Sequence, residues 1–399
     1  MNKSEIEAMR RSFKVLQSRR KLFSGNKRLM DLEDHVKKIR ENSISNLKEL
    51  SITAKNSLEE NGVEVIFAKD ANMALKEIYK ITENESIIAK SKSNTLNEIG
   101  MAKFLKDKGI ELIETDVGDR IIQLHGEKGF SSHPTGPASH LNVEKIAQIV
   151  SENFGQDIKP EPKAILDVIK RDILNKLEMC NVGITGANAL AAEDGSAIMV
   201  HNEGNISLVS MKDVHIIVVG IDKIVNTIEE GISIAKLETI YATGSKVPAS
   251  INVLSSPSKT ADIEKTIIKD MYGSKRMIVI FLDNGRSIAF EESLWCIGCG
   301  SCIVSCPVYN LMGPDFGYKS YLGGRGVVLS CFIKNKEACF KSGLFSCTLC
   351  GLCTVECPVN VPTNDMVEKL RSDLVKAGLI EEKHNKIKNM IMKNFSPFQ

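Results

Sequence analysis

The chain has 399 residues, 43% of them hydrophobic and 26% charged, with a formal net charge of +2. That length is enough for two or three domains, and the composition is ordinary for a soluble globular protein. A net charge this small implies no nucleic acid or other polyanion as a bulk partner. The longest strongly apolar run, Val214 to Ile221, is broken by His215 and Gly220 and is too short to span a bilayer. The amino-terminal Met-Asn-Lys-Ser-Glu has no apolar signal core, so a cytoplasmic protein without direct membrane insertion is expected.

Residues 1–60 read as two helices. Ile6, Met9, Phe13 and Leu16 recur at helical spacing, as do Val36, Ile39, Leu47, Leu50, Ala54 and Leu58. Between them lies a basic cluster, Arg19, Arg20, Lys21, Lys27 and Arg28, which reads as a solvated loop. From residue 61 to 288 strands and helices alternate. Val63 to Ala68, Ser86 to Ala89 and Ile110 to Glu114 are strands; Ala71 to Thr82 and a segment closed by Gly109 are helices. Such alternation predicts a mostly parallel, doubly wound sheet. Helices follow over Val143 to Asn153 and Lys163 to Met179, and strands over Ser196 to Val200, His215 to Gly220 and Arg276 to Leu282.

Several polar stretches in this α/β region are candidates for binding or catalysis. In Lys90-Ser91-Lys92-Ser93-Asn94-Thr95 a strand gives way to a helix, where hydroxyls, first-turn amides and a lysine suit a carboxylate or phosphate. The same residues also suit plain helix capping by Ser93 or Asn94 with the lysines in solvent, and both readings stand. His133-Pro-Thr-Gly-Pro-Ala-Ser-His140 is a rigid loop, read as structural or substrate-facing rather than as a metal site. Glu193, Asn202 and Glu203 sit at the ends of apolar elements; a concave site and simple turn chemistry both explain them. Ser255 to Glu264 reads as a run of small residues preceding a helix, a second anion-binding candidate. No dinucleotide or Walker spacing of glycines occurs.

The strongest signal lies in residues 289–378. Cys296-Ile-Gly-Cys299-Gly-Ser-Cys302-Ile-Val-Ser-Cys306-Pro307 is followed by Cys347-Thr-Leu-Cys350-Gly-Leu-Cys353-Thr-Val-Glu-Cys357-Pro358. Each is C-x2-C-x2-C-x3-C-P, the bacterial ferredoxin run, in which the fourth cysteine ligates the other cluster. Cys296, Cys299, Cys302 and Cys357 are therefore assigned to one 4Fe-4S cluster, and Cys347, Cys350, Cys353 and Cys306 to the other. A zinc ribbon uses paired knuckles rather than such triplets, and disulfides require an oxidising compartment. These motifs use eight of the eleven cysteines. Of the other three, Cys331 and Cys339 are read as buried or free thiols, and Cys180 is left unassigned. Gly323-Gly-Arg-Gly326 reads as an irregular joining loop. A helix from Thr363 or Asn364 to Gly378 carries Met366, Leu370 and Leu374 on one face, and 379–399 forms a last helix.

The segments His133–His140, Gly183–Asn205, Ser258–Glu264 and Asp283–Ser287, together with the double cysteine motif, resemble the LUD-domain family, in the branch where that domain precedes an alpha-helical ferredoxin domain. The resemblance implies an α/β LUD domain of NagB/RpiA/CoA-transferase-like fold followed by an all-α ferredoxin domain binding two 4Fe-4S clusters. It implies an iron–sulfur electron-transfer subunit of an oxidoreductase complex that oxidises L-lactate to pyruvate without NAD. Its expected partners are a CCG-motif, heterodisulfide-reductase-like protein and a second LUD-domain protein. On this reading Lys90, Ser91, Lys92, Ser93 and Asn202 hold the substrate, and His133 or Glu193 handles the hydroxyl proton. The alternative is a non-catalytic relay or scaffold subunit of another redox complex, with the LUD domain as a docking or regulatory module. A third reading, a CoA- or sugar-phosphate-handling enzyme, leaves the clusters unexplained.

Overall fold

The computed structural model describes residues 1–397 except Ser24 and Asp270; Phe398 and Gln399, the end of the expected last segment, lie outside it. Three helices rather than two open the chain: α1 (Lys3–Lys21), α2 (Lys27–Ser45) and α3 (Leu47–Glu60). A reciprocal pair of hydrogen bonds between Asn2 and Glu5 starts α1, satisfying amides that a helix end leaves open. The apolar period runs on from α2 into α3, which is why the break at Asn46 is hidden in the pattern.

The α/β domain then runs β1 (Glu64–Ala68), α4 (Ala71–Thr82), β2 (Ile87–Lys90), α5 (Asn94–Ile99), α6 (Met101–Asp107) and β3 (Glu111–Glu114). It continues through α7 (Val117–Leu124), α8 (Val143–Phe154), α9 (Pro162–Glu178), β4 (Val182–Thr185), β5 (Ala189–Ala191), β6 (Ser196–His201), α10 (Asn205–Ser210) and β7 (Val214–Gly220). It closes with β8 (Ile224–Val225), α11 (Ile228–Thr243), β9 (Ser250–Leu254), the hairpin β10 (Lys259–Thr260) and β11 (Ile268–Lys269), and β12 (Arg276–Leu282).

β1, β12, β7, β4, β2 and β3 form one parallel sheet in that order. Its inner strands read as continuous apolar runs because both faces are covered. Ile216 and Val218 of β7, with Ile278 and Ile280 of β12, pack under α4, α5 and α6. The alternate residues Ile217, Val219, Val279 and Phe281 face α3 and a second sheet. That sheet, ordered β8-β5-β6-β9, presents Leu190, Ala197 and Met199 to the first and Ala189, Ala191 and Ile198 to α11.

The cysteine-rich region does not form a separate body. Ile297, Ile303, Val304, Val308 and Tyr309 share one apolar core with Met9 and Phe13 of α1, Val36 and Ile39 of α2, and Ile234 and Leu237 of α11. The amino-terminal helices thus fill the space between the α/β domain and the cysteine motifs.

Four expectations are corrected. Gly100, at φ +75°, splits the expected single helix before Gly109 into α5 and α6. Ser258 to Glu264 does not lead into a helix: Glu264 and Lys265 take left-handed conformations and turn the β10–β11 hairpin. Gly323–Ile333 is a helix rather than a joining loop. Its glycines serve close approach, since a Cβ on Gly326 would lie 1.9 Å from the Tyr321 carbonyl oxygen. Arg20, read as part of a solvated loop, points inward and bonds Ser301 Oγ.

A buried ionic network joins these parts. Arg286, from the Asp283-Asn-Gly-Arg turn after β12, bonds Glu98 of α5 at 2.7 and 3.0 Å and Asp222 after β7 at 2.5 Å. Tyr321 donates to the same Glu98 at 2.6 Å. Arg40 of α2 is 1% exposed and donates to the carbonyls of Asp222, Leu294 and Trp295. Burial opposes the charge on Glu98 and Asp222, but Arg286 outweighs it and holds both carboxyls below the usual carboxylate range. Arg286→Met is expected to destabilise the protein by about 3–5 kcal/mol, because it leaves two buried carboxylates without their partner. Arg276→Met, which breaks an exposed pair with Glu64, is expected to cost at most about 1 kcal/mol; urea unfolding midpoints compare them. Because the two carboxyls are lowered on folding, their contribution is present at neutral pH and lost as the pH falls below about 4.

Candidate functional site

The parallel strands end on one side of the main sheet, the edge at which such folds bind ligands. There a cavity of about 290 Å³ opens between the α/β domain and the first cysteine motif. Lys92 and Ser93 after β2, Asp116 just before α7, and His201, Asn202 and Glu203 at the end of β6 form one wall. Cys296, Gly298, Gly300, Cys302 and Arg325 form the other.

Of the substrate candidates, Lys92, Ser93 and Asn202 line this cavity, and Lys90 and Ser91 do not. Lys90 is fully buried and bonded to both carboxylate oxygens of Glu114 at 2.8 Å. The Ser91 hydroxyl is buried without a partner. Ser93 caps α5 by accepting from the Leu96 amide at 3.2 Å while also facing the cavity, so both readings of this residue hold. The Asn202 side chain accepts from the Ala249 amide at 2.9 Å.

Neither proton-transfer candidate lies in the cavity wall. Glu193 is exposed on a turn whose backbone oxygen accepts from Ser57. His133 is buried behind Pro134 and Thr135; burial, with Lys92 and Arg20 nearby, lowers its pKa to about 3, so it stays neutral.

The group placed to titrate is Glu203. Its side chain remains exposed, but desolvation in the cavity wall, with Asp116 adding to it, raises its pKa to about 7, while the Val117 amide donates to it at 3.0 Å. Lys92 lies 2.9 Å from Asp116 and donates to the Thr135 carbonyl at 3.1 Å. Burial works against its ammonium, but Asp116 and Asp119 outweigh that and raise its pKa. A cation and a carboxyl that changes protonation near neutrality thus share one wall, the pairing that acid–base chemistry on a carboxylate substrate needs. The position of Glu203 at a strand's end was visible in the sequence; Asp116 and the resulting shift were not.

Among the described residues no disulfide joins the cysteines. Burial raises the thiols of Cys299, Cys302, Cys353 and Cys357, the last two to about 11, and neighbouring cysteines raise them further. Those neighbours sort into two sets. Cys299 feels Cys357 and Cys296, and Cys302 feels Cys296, Cys299 and Cys357. Cys306 feels Cys347 and Cys350, and Cys353 feels Cys347, Cys306 and Cys350. The last cysteine of each motif therefore sits with the first three of the other, and Cys353, which acts on both Cys302 and Cys357, joins the sets. Among the described residues, no three His, Cys, Asp or Glu side chains converge for a single metal ion. Thiols grouped in fours are the donor set of an iron–sulfur cluster, whose iron would also supply the charge that ionises them.

Both motifs use the same backbone turn. Gly298 and Leu349 precede the second cysteine at φ +85° and +54°, and Gly300 and Gly351 follow it at +73° and +74°. Backbone N–H groups approach sulfur at 3.4 Å, from Gly298 to Cys296 and from Tyr309 to Cys306. Cys331 and Cys339 lie outside both sets, next to one another.

The family model for the LUD domain matches residues 53–282, and that for a 4Fe-4S dicluster domain matches residues 292–361. Lactate utilization protein B of Macrococcus caseolyticus is 32% identical over 372 residues, covering 91% of this chain and 75% of that protein. Lactate utilization protein B of Lysinibacillus sphaericus is 32% identical over 348 residues, covering 86% and 71%. The uncharacterized electron transport protein YkgF of Escherichia coli is 30% identical over 354 residues, covering 87% and 72%. A crystal structure of a DUF162 family protein from Deinococcus radiodurans aligns with 59% of this chain and 98% of that one, at 14% identity and a TM-score of 0.31. With an α/β domain and a double cysteine motif matched in this order, the chain belongs to the LUD-domain family, in the branch that joins the LUD domain to a 4Fe-4S dicluster domain.

Proposed function

We propose that this protein is the iron–sulfur electron-transfer subunit of an oxidoreductase complex that oxidises L-lactate, or a similar 2-hydroxy acid, to pyruvate without NAD. The observation that carries this reading is the cavity itself, whose walls are the Lys92–Glu203 cluster on one side and the Cys296–Cys302 loop on the other. The names of the relatives supply the substrate class. Two clusters, one on Cys296, Cys299, Cys302 and Cys357 and one on Cys347, Cys350, Cys353 and Cys306, carry one electron each when bound.

In this reading Lys92 pairs with the substrate carboxylate, and Glu203 accepts the proton of the hydroxyl. Oxidation releases two electrons and two protons, and the two-electron acceptor beside the cavity is assigned to a partner protein. Electrons leave at the second motif, where Cys350 is exposed among the exposed side chains of Leu349, Leu352 and Val355. A CCG-motif protein and a second LUD-domain protein are the proposed partners. Among the described residues no helix is long and apolar enough to cross a membrane. The relay or scaffold reading draws support from Lys92 being already paired with Asp116. Lactate-driven bleaching of the clusters by the protein with its co-purified partners favours catalysis; bleaching only by a partner's own substrate favours relay.

Lys92→Met is expected to slow lactate-driven cluster reduction about ten- to a hundredfold, the loss of one charge-assisted hydrogen bond. An unchanged rate would remove Lys92 from the site. The rate should rise with pH through about 7 as Glu203 loses its proton, and Glu203→Gln should abolish that rise along with most of the activity. Cys357→Ser and Cys306→Ser should each cost half of the bound iron, and their EPR signals should differ. Cys331→Ser should leave the iron content unchanged.

A further inference from the structure

Side chains from two distant parts of the chain, α1 and the His133 loop, lie against the first thiol set, and both hold N–H groups with no acceptor among the described residues. Arg20, at the end of α1, donates through Nη1 to Ser301 Oγ, and Ser301 in turn donates to the Glu356 carbonyl at 2.9 Å. Its remaining Nε and Nη2 are buried without a partner, and the nearest charges acting on it include Cys299 and Cys302. An uncommitted guanidinium donor in the interior is costly unless something accepts from it.

His133 makes a second such donor. Its Nδ1 accepts from the Thr135 backbone N–H at 3.2 Å. In a neutral imidazole the proton then resides on Nε2. That Nε2 is buried without a partner, and it lies 2.7 Å from where a Cβ on Gly300 would stand. Gly300 falls between Cys299 and Cys302, so only a glycine lets the imidazole come this close to the loop. Phe13 packs edge-on against the ring with centroids 5.8 Å apart and holds its orientation.

The second thiol set has a different surround. Its donors include the Tyr309 amide, 3.4 Å from Cys306 Sγ, the Val308 amide beside the same sulfur and the Thr363 hydroxyl beside Cys353. Its neighbouring cation, Arg371, commits its N–H groups to the Leu344 and Cys347 carbonyls.

We propose that Arg20 and His133 donate hydrogen bonds to the sulfurs of the cluster held by Cys296, Cys299, Cys302 and Cys357, and hold its reduction potential above that of the second cluster. Reduction adds negative charge to a cluster, and N–H donors aimed at its sulfurs stabilise the reduced form. A guanidinium adds a full positive charge to the same effect. The cluster next to the cavity is then the better electron acceptor of the two, and transfer from it to the exposed one runs uphill, drawn by the partner that takes electrons at the second motif. Arg20 and His133 are positioning and tuning residues: neither lines the cavity.

The inference rests on the ligand assignment made above, and an EPR-monitored reductive titration of the full-length, iron-replete protein separates the two. Two midpoints are expected in the wild type. Arg20→Met should lower one of them, so that at fixed potential the ratio of reduced to oxidised cluster falls about tenfold, which is about 59 mV for a one-electron couple. His133→Leu should lower the same midpoint by less. Thr363→Val should move only the other. If Arg20→Met fails to hold its iron, Arg20→Lys, which keeps the charge but gives up Nε, carries the test and should show a smaller drop. Full iron content with neither midpoint moved by the Arg20 and His133 variants overturns the tuning role and leaves the ligand assignment intact. Movement of the same midpoint by Thr363→Val and Arg20→Met overturns it as well.

Discussion

Arg286 between Glu98 and Asp222 is the interaction on which the arrangement of the two domains depends. Its residues come from α5, from the end of β7 and from the turn after β12, and Tyr321 reaches the same carboxylate from the cysteine-rich region. A lone charge at any of these positions would be expelled from the interior or neutralised. Together they are satisfied only when the ends of the strands, the amino-terminal helices and the helix after Tyr321 are all in place. Arg40 extends the same logic, with its donors shared among the carbonyls of Asp222, Leu294 and Trp295. The network thus sets the separation between the cavity's two walls, and with it the distance from the α/β domain to the first cysteine motif.

Much of this was legible in the sequence where the signal is local. The parallel strands could be read from apolar runs because burial on both faces erases alternation, and the cysteine motifs could be read because ligand geometry imposes a fixed spacing. Helix α4 appears over the residues its pattern indicates. What the sequence hid is mostly long-range. Arg20 looks like one member of a basic loop, and only the fold carries it to Ser301, 281 residues away. Gly323, Gly324 and Gly326 look like a loop, and only the close approach of Tyr321, Ile303 and Thr363 shows why a helix needs them there. Lys90 and Lys92 look equivalent, yet two residues of register send one into the interior to Glu114 and the other to the cavity. The shift at Glu203 depends on desolvation at the cavity wall and on Asp116, neither of which has a sequence signature.

The two cysteine motifs are near copies with unequal surroundings. Where the first has Gly298, the second has Leu349 in the same left-handed conformation, at a cost of about 1–2 kcal/mol that glycine avoids. The first motif is packed beneath α1, α2 and α11, and the second opens to solvent at Cys350. On the proposed ligation, exchange of the fourth cysteine between the sets keeps both on one framework, so these differences would act on groups held in a fixed relation.

The shared core around Tyr309 has a practical consequence for work on fragments. Residues 289–378 cut from the chain would expose Ile297, Ile303, Val304 and Val308 along the face that α1, α2 and α11 now cover. Such a fragment would contain all eight motif cysteines and still lack Arg20, Arg40 and His133. Its spectra would describe a cluster pair in a water-exposed setting that the intact chain never presents. The electronic character of the first motif belongs to the folded whole, and cannot be carried away with its ligands.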